Sequence, residues 1–363
     1  MGVYHQIKDK FIMRNARADW ASYRDQLTDL ILQMYPETVM IVGAGRCNDI
    51  DLGRLVSVGA ERCNDNDPGR RMSEGVRRVV LLDVDTDGMQ EAAASLPEEQ
   101  RSKLELRTGS LTGISEDDME AFCDRMLSYV RSAGRDLSVE YVRRELMEGM
   151  NVLESKLRAG PDIGRDSRPD IGRDSRLDGG LDSERESEKE NRSDSERESE
   201  QESKQESKQE SGLDGELESG QENEPAEGVS AIDALYPESC SDIVVCCGVH
   251  SQLFSTLSFF VRSLIHSLQD ILPGVDVLEG EVSERIRRMN DQAIPGINRT
   301  LYKAAGKCVI FGNEFMPEHP VEGAHQCILD VRKNYRPEEA HLTWEFNKAE
   351  GITYDMLIQI CRV

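Results

Sequence analysis

The sequence predicts a three-layer, doubly wound α/β fold around a mainly parallel seven-stranded sheet whose terminal strand is antiparallel. Three observations predict it. Short apolar runs alternate with amphipathic stretches along most of the chain. The first apolar run ends in a glycine turn and the second in carboxylates, as the carboxyl ends of parallel strands do in a ligand-binding crevice. Two strand-like runs around a tight turn then close the chain.

Residues 1–36 read as an N-terminal helical segment. Within it, ADWASYRDQLTDLILQMY (18–35) sets Trp20, Tyr23, Leu27, Leu30, Ile31 and Met34 at helical spacing, and Pro36 ends the helix. TVMIV (38–42) is the first strand and RRVVLLDVD (77–85) the second. DTDGMQEAAASL then starts a helix, with Asp85, Thr86 and Asp87 as candidate caps. KLELRTGSLTGI (103–114) is a third strand with its turn. Helices follow over 115–132 and 138–157, either as a lid over the strand ends or as a layer on the sheet face. Residues 242–247 form the fourth strand, followed by a helix with the stripe Leu253, Leu257, Phe260, Val261 and Leu264. A helix near 282–304, the strand GKCVIFGNEF, a polar loop FGNEFMPEHPVEGAHQ and two strands around NKAEG complete the order.

One folded domain is thus expected in two parts, 37–159 and 229–363. Between them, residues 160–228 carry 23 acidic and 10 basic side chains and almost nothing apolar, about half of the formal net charge of −25. Such a segment cannot bury enough surface to offset chain entropy, so a disordered acidic tether is expected. Its sharper reading is a docking segment for a basic protein partner. The remaining charge is ordinary for an acidic protein and argues against a nucleic-acid footprint. No apolar run reaches the roughly 20 residues of a membrane span, and the first residues lack the apolar core of a signal peptide. Nine cysteines without a CxxC pair fit reduced, buried thiols, so a cytoplasmic location is expected.

VMIVGAGRCNDIDLGR is followed at once by the near-copy GAERCNDNDPGR; residues 43–58 and 59–74 agree at ten of sixteen positions. The copy has no strand before it and carries the breaker cluster NDNDPG. Deleting it leaves an ordinary strand, turn, helix and strand, with Gly43 about 24 residues before Asp83, near the spacing expected of a ribose-binding acid. The chain also repeats PDIGRDSR and ESKQ. Residues 59–74 therefore read as a duplicated surface loop, and one site is expected.

Gly43 and Gly45 let backbone approach a bound cofactor, and a helix starting near Asn48 and Asp49 would aim its amide end at it. Asp83 ends the neighbouring strand, where a carboxylate accepts bonds from both ribose hydroxyls. VMIVGAGRCNDIDL, VVLLDVD, LRTGSLTGI, DIVVCCGVHSQL and the closing LTWEF…YDMLIQICRV resemble the class I S-adenosylmethionine-dependent methyltransferase superfamily, and the GAGxCND form resembles a poorly characterised bacterial branch of it. The resemblance implies S-adenosylmethionine as cofactor and methyl transfer to an unidentified acceptor. By position, Gly43, Ala44 and Gly45 would lie against the methionine part, Asp83 would hold the ribose, Gly109 and Ser110 would sit near the adenine, and Cys247 would lie beside the transferred methyl. Two departures stand out. The acid two residues before the first glycine is Ile41 here, with Asn48 or Asp49 as substitute polar contacts, and the third glycine is Cys47.

His250 is the candidate catalytic base, with a structural role as its alternative. His319, His325 and His341 lack ligand spacing with carboxylates, so no metal site is expected, and Trp344 with Phe346 reads as sheet packing rather than an aromatic cage. Two rival functions remain at this stage. An NAD(P)-dependent oxidoreductase would prefer GxGxxG, where this chain has Asn48 in the last place, and a Tyr-x-x-x-Lys or Cys/His pair near the fourth strand. A methyltransferase-fold interaction protein without turnover is the other.

Overall fold

In the computed structural model the strands are β1 (Thr38–Val42), β2 (Arg78–Asp83), β3 (Leu104–Thr108), β4 (Ser241–Cys247), β5 (Ala305–Glu314), β6 (Glu338–Asn347) and β7 (Ile352–Arg362). They form one sheet in the order β3-β2-β1-β4-β5-β7-β6. The first five run parallel to one another, and β7 is antiparallel to both β5 and β6. The structure describes residues 3–10, 15–57, 76–134, 137–157 and 239–363. The duplicated loop 59–74 and the acidic segment 160–228 lie outside the described residues. All described residues belong to one unit, which Ile163–Gly228 interrupts in sequence.

The helices are α1 (Val3–Lys10), α2 (Ala16–Asp19), α3 (Ala21–Gln33), α4 (Leu52–Ser57), α5 (Thr86–Ala94), α6 (Glu98–Arg101), α7 (Glu116–Ala133), α8 (Val139–Lys156), α9 (Ser255–Leu268), α10 (Val277–Ala304) and α11 (Ala324–Tyr335). Their starts follow local chemistry. Ser115 and Asp118 form a reciprocal capping box at α7, and the Ser138 hydroxyl accepts the Tyr141 amide at α8. The Asp85 carboxylate caps α5 by accepting the Gly88 amide, which ends β2 at Asp83, two residues short of the expected strand. The single helix expected over 18–35 breaks at Trp20 into α2 and α3. α11 was not foreseen; its residues follow the long polar stretch that reads as a loop.

Alternation along each strand divides the core into two faces. Met40, Val42, Val80, Leu82, Val244 and Cys246 face α1, α7, α8, α9, α10 and α11. Val39, Ile41, Val79, Leu81, Ile243 and Val245 face α3, α4 and α5. α7 and α8 are built into the first face: Phe122, Met126, Leu146 and Met150 are fully or almost fully buried there. Of the two, only the first turn of α7 reaches the strand ends, through Glu116 and Met119. No described helix is long and apolar enough to cross a membrane.

A helix of the core and a detachable lid respond differently to truncation. Leu146→Ala is expected to destabilise the protein by about 2–5 kcal/mol through the cavity it leaves. Denaturant unfolding measures this, and a variant as stable as wild type would make α8 peripheral to the core.

Candidate functional site

The carboxyl ends of β1, β2 and β3 are joined by backbone and one side chain. The amides of Gly43 and Ala44 donate to the Leu82 carbonyl at 2.9 and 3.3 Å, and the Cys47 amide closes the turn on Ala44 at 2.7 Å. Gly43 and Gly45 adopt φ of +71° and +43°, which glycine reaches at little cost. A side chain at Gly43 would be driven into the Val249 side chain, so the bare β1 turn packs directly on the segment after β4. Cys47, in the place of a third glycine, keeps a left-handed φ of +50°. Such strain costs roughly 1–3 kcal/mol and persists only where surroundings enforce it. The Asp83 carboxylate accepts the Gly45 amide on Oδ2 and the Asp85 amide on Oδ1, both at 2.8 Å. The Gly109 amide donates to the Asp83 carbonyl at 3.1 Å, which adds the end of β3.

These ends open into a cavity of about 550 Å³. Gly43, Ala44, Gly45, Asn48, Asp49, Asp83, Gly109, Ser110 and Cys247 all line it, so residues spread over some 200 positions are brought together. The Ser110 hydroxyl is engaged within its own turn, donating to the Ile114 carbonyl at 2.7 Å and accepting the Gly113 amide at 3.1 Å. Two expectations are corrected. The helix after the glycine turn starts at Leu52, not near Asn48, because the Asp51 carboxylate accepts the Arg54 amide while the Thr28 hydroxyl takes the Asp51 amide. Asn48 and Asp49 thus belong to the turn itself. His250 does not line the cavity. Its ring is buried on the opposite side of its turn, with Nε2 at 2.9 Å from Asn298 Oδ1, and Asn298 in turn donates to Asp330 at 2.8 Å. Burial pushes the His250 pKa down to about 4, against a smaller opposing effect of the Asn298 contact, so the ring is a neutral member of a core network.

The floor of the cavity is short of cations. Burial raises the Asp49 carboxyl to a pKa of about 6, partly opposed by a backbone hydrogen bond and, less, by the Arg24 guanidinium, which donates to the carbonyls of Arg17 and Asn48. Burial also raises the Cys47, Cys246 and Cys247 thiols and keeps them protonated. Beyond Cys247, at the end of β5, Glu314 is raised by burial as well; its Oε1 accepts the Ser251 hydroxyl at 2.9 Å. Among the described residues no three His, Cys, Asp or Glu side chains are grouped to hold a metal ion.

Sequence reasoning missed a whole side of the cavity. Trp20 and Tyr23 from the α2–α3 segment meet Trp344, Phe346 and Met356 from the closing hairpin, and all five line it. The Trp20 indole donates to the Phe346 carbonyl at 3.0 Å across 326 positions of sequence. Trp344 and Phe346 do pack on the sheet, as expected, but they also face the cavity. The helical stripe that contains Trp20 and Tyr23 signalled burial and nothing about a ligand. The polar residues 315–323, in contrast, contribute nothing to the cavity.

No family model matches the chain, and no curated protein matches it in sequence. Two solved structures are similar in outline, both described as the methyltransferase domain of bacterial CtHen1. The form labelled CN shares 9% identity at a TM-score of 0.33, covering 94% of this chain and 98% of that one. The form labelled C shares 9% identity at a TM-score of 0.35, covering 96% and 100%. At these values no residue of one chain is matched to a residue of the other.

The Asp49 carboxyl links the site to stability. Its native pKa of about 6 lies above the ordinary value of 3.8, so the native state holds its proton more tightly than the unfolded chain. Its contribution to stability is therefore present at low pH and is lost as pH rises from about 4 to 6. Asp49→Asn is expected to melt above wild type at pH 7, with the gap closing at pH 4. Thermal unfolding across this range checks it, and a gap independent of pH would remove the buried charge as its cause.

Proposed function

We propose that this protein binds S-adenosylmethionine in the cavity at the carboxyl ends of β1 to β4 and transfers its methyl group to an acceptor. The observation that carries the reading is the Asp83 carboxylate drawn onto the Gly45 amide. It sets a close, side-chain-free turn and an acid at the ends of adjacent parallel strands, facing one cavity. The seven-stranded order with β7 reversed is the frame in which such a turn serves this cofactor. The bare backbone at Gly43, packed against Val249 and lining the cavity, suits the methionine part. Asp49, a desolvated carboxyl with no strong cationic partner, suits an ammonium or sulfonium charge and takes the place of the acid absent at Ile41. Asp83 would hold the ribose hydroxyls, and the turn at Gly109 and Ser110 the adenine. Cys247, at the end of β4, would lie beside the methyl group.

The cofactor, when bound, supplies an electrophilic methyl on sulfur. The chain's own part is then to align a nucleophile with it and to exclude water. A dinucleotide fits the turn less well. Its pyrophosphate rests on the amide end of the helix after the glycine turn, and here that helix begins only at Leu52 and has six residues.

Calorimetric titration with S-adenosylmethionine, S-adenosylhomocysteine and NAD tests the reading. The first two are expected to bind. Asp83→Ala, which removes the acid and unties Gly45, should weaken them by about ten- to a hundredfold, the loss expected for bonds to a charged group. Gly43→Ala should abolish binding. Binding of NAD alone would replace this reading with an oxidoreductase, and no binding of any of the three would leave a fold without this activity.

A further inference from the structure

The aromatic side of the cavity has no task in holding the cofactor, yet it is a built site. Trp20 and Phe346 lie stacked with ring centroids 5.9 Å apart, and Trp344 stands edge-on to both at 4.8 and 5.0 Å. Tyr23 is tilted against Trp344 at 5.6 Å. Tyr23 and Trp344 are 2% and 4% exposed, and both line the cavity. Buried Tyr and Trp ordinarily find partners for their polar atoms. Here the Trp344 indole N–H has no hydrogen bond among the described residues, and the Tyr23 hydroxyl has only the Cys247 thiol beside it. Glu314 is 8% exposed and stands beside Met356 in the β5–β7 register; its Oε2 is also without a partner among them. The Tyr23 hydroxyl meets the Cys247 thiol, and Asp49 and Glu314 act on it electrostatically.

We propose that this lobe, walled by Trp20, Trp344, Phe346 and Met356 and backed by the Tyr23 hydroxyl and the Glu314 carboxyl, takes the methyl acceptor, and that the acceptor is an amine carried on an apolar or aromatic group. The assignment rests on the methyl-transfer reading given above. Two independent features select a basic nitrogen. Aromatic faces attract a cation by about 0.5–2 kcal/mol as it loses water, and do nothing comparable for an anion. The charged residues lining the whole cavity are Asp49, Asp83, Asp85 and Glu116 against Arg46, which is itself paired with Glu91 at 3.1 Å. A carboxylate acceptor would enter against that field; an ammonium enters with it.

The step balances without a further reactant. The amine arrives as an ammonium and gives one proton to Glu314. Its freed lone pair bonds to the methyl carbon as the carbon–sulfur bond breaks and that pair stays on sulfur. The products are an N-methylammonium, S-adenosylhomocysteine and one proton, released from Glu314 to water. A carboxyl raised by burial is suited to take a proton and return it.

A charge series at constant shape provides the test: 2-phenylethylamine, 2-phenylethanol and 3-phenylpropanoate, each titrated into protein saturated with S-adenosylhomocysteine. The amine is expected to bind at least about tenfold more tightly than the other two. Glu314→Gln and Trp344→Phe should each weaken the amine by about tenfold, while S-adenosylhomocysteine affinity stays within about twofold and serves as the check on folding. Equal or tighter binding of the alcohol or the acid overturns the amine. Amine binding untouched by both substitutions overturns the location. Failure of S-adenosylhomocysteine to bind wild type is a different result, which overturns the methyl-transfer reading itself.

Discussion

The hydrogen bond from the Gly45 amide to Asp83 Oδ2 is the constraint on which the site depends. It joins the turn after β1 to the last residue of β2. The same carboxylate takes the Asp85 amide, and Asp85 caps α5, so one side chain sets a turn, a strand end and a helix start. Parallel strands already bring their carboxyl ends to one edge of the sheet. The Asp83 contact converts that general property into a cavity of fixed shape, because it holds Gly45 in a left-handed conformation that opens the backbone toward solvent. Cys47 can then occupy a conformation that glycine usually takes. The residue type departs from the resembled pattern, but Cys47 keeps a left-handed φ of +50°.

This distinction separates what was legible in the sequence from what was not. The strands were legible because an interior parallel strand must be apolar on both faces, and TVMIV or IVVCC has few other uses. Gly43, Gly45 and Asp83 were legible because their spacing follows from local geometry once the duplicated loop is set aside. The nine residues expected at the cavity all line it, whatever each one does there. His250 was read by its place after β4, and place in sequence says nothing about which way a ring turns. One residue of rotation in the turn carries it to Asn298 and the core instead of the cavity. The aromatic side was illegible for a different reason. Trp20 and Phe346 are far apart in the chain, and an aromatic at helical or strand spacing looks the same whether it meets a core or a ligand.

Two crowded carboxyls, Asp49 half-buried and Glu314 buried, set this cavity apart from a mere gap between layers. Asp49 and Glu314 are both held in surroundings that disfavour their charge. Such groups weaken the empty protein, and natural cores seldom retain them without a partner. A cation entering the cavity would relieve Asp49, which lines it; Glu314 stands beside the lining residue Met356. Stability and binding are then coupled through the same atoms: what the fold loses around Asp49 is what a positively charged ligand recovers.

The two carboxyls also differ in a way that divides their work. Asp49 sits in the glycine turn, close to Arg24 and to the backbone that a cofactor would cover, so its field acts on whatever fills that turn. Glu314 lies at the end of β5, beside the aromatic wall, and Ser251 already occupies one of its oxygens. Cys247 stands between them at the end of β4, apolar and protonated, where a polar group would compete for either charge. In the methyl transfer proposed above, the methyl group would pass that point.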